Sequence, residues 1–99
     1  LNVIELRGRL QAQAGRTKAA RRDFLAVLAG RGAILEQGHP QILAAAWNLA
    51  DLPASDLTPA DIAMLRDTIF LPLLAMRNES LQPPVRAQLD RVREWLASH

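Results

Sequence analysis

The chain has no cysteine and no tyrosine, and its aromatic content is two tryptophans and two phenylalanines in 99 residues. Without cysteine there is no disulfide framework, no thiolate metal site and no cysteine nucleophile. Histidine is almost as scarce, with only His39 and His99. Lys18 is the single lysine, so eleven of the twelve basic residues are arginine. The longest apolar run, Ile69 to Met76, is eight residues long and contains Pro72. A bilayer crossing needs about 20 apolar residues, so this run does not supply one. No signal-peptide pattern opens the sequence. The first residue is Leu1 rather than methionine, and the chain reads as an excised piece of a longer, bacterial-type, cytoplasmic protein.

What is present is helix-forming. Alanine, leucine, arginine and glutamine dominate while β-branched residues are few, which predicts a single all-α domain of about five helices. The first helix is expected from Asn2 to Ala14, with Val3, Ile4, Leu6, Leu10 and Ala14 inward and Glu5, Arg9 and Gln13 on a polar side. Gly15 is placed to end it in the left-handed conformation, and Thr17 to cap the next. That second helix, from Thr17 to about Glu36, carries Ala20, Phe24, Val27 and Leu28 in one stripe, with a break near Gly30 as an alternative. Gly38-His39-Pro40 is a stop and restart. A third helix follows to Leu52 with Leu43, Ala46, Leu49 and Ala50 on one side and Trp47 at the stripe's edge.

Thr58-Pro59-Ala60-Asp61 marks a further helix start: hydroxyl cap, proline at the first position, acid in the first turn. Ile62, Leu65, Ile69, Leu73 and Met76 then repeat with helical spacing, and Pro72 is expected to kink or split the segment. The fifth helix is expected from Pro84 onward, with Val85, Leu89, Val92 and Leu96 inward and Arg86–Asp90 as an ion pair.

Gly8, Gly15, Ala20, Phe24, Val27 and Leu28 sit at the spacing of a tetratricopeptide repeat, which residues 1–52 resemble. Residues 38–50 look like the longer repeat variant of kinesin light chains and many bacterial proteins. His39, Pro40, Leu43, Asn48, Leu49 and Ala50 match that variant's His-Pro junction and following helix. Ile4 stands where tryptophan is usual, Arg7 where leucine is, Gln11 where tyrosine is and Gly32 where the closing proline is. After Leu52 the register is lost, so the remainder reads as a degenerate repeat or a cap.

The resemblance implies antiparallel helix pairs in a right-handed superhelical stack that binds a protein or peptide. It also implies a concave surface lined by the first helix of each pair. Carried onto this sequence, the groove residues are Glu5, Arg9, Gln13, Trp47, Asn48 and Asp51. Trp47 has a second reading, as a core residue at the helix seam.

Two other functions compete. Residues 1–31 hold seven basic and two acidic groups, a balance of +5, while the remainder holds five basic and eight acidic, a balance of −3. The basic first two helices suit a nucleic-acid-associated regulatory domain, although no aromatics are interleaved for base stacking. A structural or oligomerisation spacer is the third reading. Catalysis is not expected, and neither is a metal or cofactor. Ser55, Ser80 and Ser98 lie apart from His39, which sits at a helix junction suited to bonding backbone. Asp51, Asp56 and Asp61 lack the ligand alternation of a calcium loop. Gly30-Arg31-Gly32 has neither the preceding strand nor the third glycine of a phosphate loop.

Overall fold

A computed structural model describes residues 2–99 and shows an all-α protein. Five helical bodies follow one another: α1 (Asn2–Gln13), α2 (Thr17–Ile34), α3 (Pro40–Ala50), a fourth rod, and a bent fifth. The fourth rod runs from α4 (Pro59–Met64) through a π-helical segment (Leu65–Phe70) into α5 (Leu71–Ala75). The fifth is α6 (Pro83–Arg86) and α7 (Leu89–Ser98), and short 3-10 turns at Ala54–Asp56 and Asn78–Ser80 join the rods. The extents of 39 × 28 × 20 Å set the thickness at two helix layers.

Local signals in the sequence account for most boundaries. Gly15 and Gly38 have φ of +80° and +83°, the left-handed turns that end helices. His39 caps α3, its Nδ1 accepting from the Gln41 backbone N–H at 3.0 Å. Thr58 and Asp61 form a reciprocal capping box at α4. At α2, in contrast, Arg16 occupies the cap position without a side-chain bond, and Thr17 is already helical. No break occurs at Gly30.

Pro72 does not split its rod. Proline lacks a donor and its ring presses on the carbonyl four residues back. The turns before it are widened to π-helix, and the Leu71 N–H bonds to the Arg66 carbonyl, five residues back. The expected fifth helix is interrupted at Ala87–Gln88, between α6 and α7. Asp90 therefore pairs with Arg93 at 2.9 Å rather than with Arg86. Trp95 is buried there, while Leu96 is only partly covered.

The largest departure is in α1. Val3, Leu6 and Leu10 are 80%, 57% and 57% exposed, although they form its most apolar stripe. Its inward face is instead Ile4, Glu5, Gly8 and Ala12. The reason lies in Gly8: a Cβ there would come within 2.7 Å of the Phe24 ring and 3.2 Å of the Asp23 Cβ. This close approach sets the rotation of α1, and the apolar stripe is left on the opposite side. Ala20 is fully buried on α2, in one core with Phe24 and Val27.

Candidate functional site

Two carboxylates organise the polar contacts of α1, Asp23 towards α2 and Glu5 towards α2 and α3. Asp23 is buried on α2 and takes a bidentate grip from Arg7, at 2.8 and 2.7 Å. Glu5 receives both nitrogens of buried Arg31, at 2.9 and 3.1 Å, and the Asn48 amide at 3.0 Å. Arg31 also donates to the Gln41 carbonyl at 3.1 Å, so one arginine ties α1, α2 and α3 together. A buried guanidinium in this setting requires its carboxylate, because an unpaired charge away from water is costly.

Beside that network lies a shallow hollow of about 300 Å³ between α1 and α3. Arg9 and Gln13 border it from α1, and Asn48 and Asp51 from the α3 side. Phe24 and Leu52 supply apolar surface between them. The side chain of Arg9 is 55% exposed and its guanidinium comes no nearer than 4.0 Å to Glu5, so its donors face solvent. Four of the six groove residues expected from the sequence therefore share one concavity.

The other two are corrected. Glu5 is drawn into the Arg31–Asn48 network and does not border the hollow. Trp47 is a core residue, 6% exposed. Its ring lies 4.8 Å from that of Phe70, and its indole N–H donates to Gln88 at 2.7 Å. The Arg91 guanidinium covers its face at 4.0 Å, held there by two bonds to Asp51 at 2.7 and 2.8 Å. The C-terminal rod thus covers the indole, in agreement with the core reading of Trp47 and against the groove position that the resemblance implies.

A second, larger hollow lies between α2, the start of α3 and the π-helical segment, with a volume of about 490 Å³. Leu25 and Leu28 of α2, Ile42 of α3, and Ile69 and Leu73 of the fourth rod give it an apolar lining. No charged side chain is among its described lining residues. Nothing in the hydrophobic spacing distinguished this wall from ordinary core. The one sequence signal was Pro72, whose backbone requirement accompanies the widened turn.

Three of the seven basic residues in the first two helices are held in ion pairs. Arg7, Arg21 and Arg31 are paired with Asp23, Asp61 and Glu5. Among the described residues no cluster of three metal-ligating side chains occurs, and no helix is long and apolar enough to cross a membrane. Comparison with protein-family models, curated proteins and solved structures gives no match.

Proposed function

We propose that this chain is a protein- or peptide-binding helical scaffold module, with tetratricopeptide-like helix pairs, that works in the cytoplasm. The observation that carries the reading is the hollow between α1 and α3, where Arg9, Gln13, Asn48 and Asp51 meet over Phe24 and Leu52. The antiparallel α1–α2 hairpin, closed by Gly15 and packed through Gly8, supports the repeat-like arrangement. Arg9 offers an open guanidinium fork for a carboxylate, and Gln13 an amide for peptide backbone. Asp51 and Asn48 have a different role: each is already bonded, to Arg91 and Glu5, and so is held in place before a ligand arrives.

The nucleic-acid reading is weaker because three of its arginines already hold carboxylates. The test is an NMR titration with short peptides bearing a free or an amidated C-terminal carboxylate. Free-carboxylate peptides are expected to shift resonances of α1 and α3, and Arg9→Ala to weaken them about tenfold. Equal binding of both peptide forms by Arg9→Ala and the native chain would remove Arg9 from the site. Concentration-dependent mass without any peptide effect would favour a spacer or oligomerisation role.

A further inference from the structure

The apolar hollow is independent of the polar face and makes a separate statement about ligands. Its volume of about 490 Å³ falls within the roughly 300–1,000 Å³ of small-molecule sites. Fourteen residues line it, whereas a stable protein interface engages about 20–30 a side. Its size therefore favours a small molecule over a second copy of the chain. The uncharged, aliphatic lining selects an apolar body without a formal charge inside.

Three side chains on the lining are polar: Gln37, His39 and Thr68. Thr68 donates its hydroxyl to the Met64 carbonyl at 2.6 Å, which leaves its methyl as the contact surface. His39 differs. Its Nδ1 accepts from the Gln41 N–H, so that nitrogen carries no proton and the ring proton is on Nε2. The capping bond thus leaves the Nε2–H of a lining residue as a donor on a mostly apolar wall, alongside the Gln37 amide. Gly32, on the α2 side, leaves room: a Cβ built there meets nothing within 4 Å.

We propose that this hollow binds a fatty acyl chain, with the aliphatic tail against Leu25, Ile42, Ile69 and Leu73 and an acyl oxygen accepting from His39 Nε2–H. A free acid and an ester share that chemistry. The experiment is calorimetric titration of the full chain with dodecanoate, methyl dodecanoate and dodecyltrimethylammonium, all below micelle formation. Saturable one-to-one binding of an acceptor-headed chain is expected, and the relative affinities of acid and ester identify the source.

Gly32→Leu fills the hollow and is expected to weaken binding about tenfold or more. Its melting midpoint should be equal or higher, because glycine is the poorer helix former. Gly32→Ala gives the same trend in smaller measure. Ala33→Leu, next to it but off the lining, leaves binding unchanged. His39→Ser keeps a helix cap while removing the imidazole donor, and it abolishes the preference for acyl heads over the ammonium head. Three results would overturn the proposal: no saturable binding of either acyl probe, equal binding by folded Gly32→Leu, or tighter binding of a leucine-rich amphipathic helical peptide in the same hollow.

Discussion

The two halves of the molecule are held together by different chemistry. In residues 2–52 the helices are joined by arginine–carboxylate bonds: Arg7 to Asp23, and Arg31 to Glu5 with Asn48 alongside. In residues 53–99 the core is aromatic. Phe70, fully buried, stands 4.8 Å from both Trp47 and Trp95, and Trp95 stacks on His99 at 4.3 Å. The first half spends its sequence on directed polar bonds and leaves an apolar stripe of α1 uncovered. The second half, cut by prolines into short segments, compensates with large rings that bury much area per residue. Both halves bury apolar side chains, but the buried ion pairs of the first and the ring cluster around Phe70 predict different responses to substitution.

The largest effect is expected at the aromatic junction. Trp47→Ala removes a buried indole from Phe70, leaves Gln88 without its donor and uncovers Arg91. A loss of about 3–5 kcal/mol is expected in urea unfolding. A loss below about 1 kcal/mol, the range of surface sites, would return Trp47 to the open groove. Next comes Glu5→Ala, which strands the buried Arg31 charge and costs about 3 kcal/mol. The contrast is sharpened by replacing both partners: Glu5→Leu with Arg31→Leu should recover most of that loss. If the double variant is as unstable as the single one, the first half depends on packing after all.

How much of this was legible depended on the kind of signal. Backbone requirements read well: Gly15, Gly38, Pro40 and the Thr58–Asp61 box all mark real boundaries because each is a local constraint. The stripe of α2 read well too, since Ala20, Phe24, Val27 and Leu28 are all buried. The stripe of α1 misled, because periodicity reports which face is apolar, not which face a neighbour reaches. Gly8 decided that, through a contact fifteen or sixteen residues away.

Buried charges were missed for a related reason. Asp23 and Arg31 fall on the inward side of α2, beside Phe24 and four residues after Val27, yet residue type alone assigns them to solvent. Of the hollow, Arg9, Gln13, Asn48 and Asp51 were legible through the repeat-like spacing. Covering of Trp47 by Gln88 and Arg91 was not, since both lie about 40 residues along the chain.

Besides the contacts of Trp47 and Asp51 with the C-terminal rod, the halves are joined by an ion pair between α2 and α4, which provides the smallest and most specific test. Arg21 of α2 grips Asp61 of α4 at 2.6 and 2.8 Å, and the same carboxylate accepts from the Thr58 backbone N–H at 3.0 Å. These bonds to Arg21, opposed by burial and aided by Thr58, hold the Asp61 carboxyl down at about 2, against an ordinary 3.8. A depressed acid favours the folded state whenever it is ionised. Its contribution is therefore complete above about pH 4 and is lost as pH falls through about 2. The Arg21 side chain is 28% exposed, so solvent screening leaves about 1–2 kcal/mol of stability at stake on the Asp61 carboxylate. Asp23 shifts in the same direction, chiefly through Arg7, so acid weakens both the first half and the joint. Arg21→Met separates them: it should raise the Asp61 midpoint towards its ordinary value while Asp23 still titrates low. Carboxyl NMR from pH 6 to pH 2 reads both sites, and an Asp61 midpoint near 4 in the native chain would mean that this joint contributes nothing.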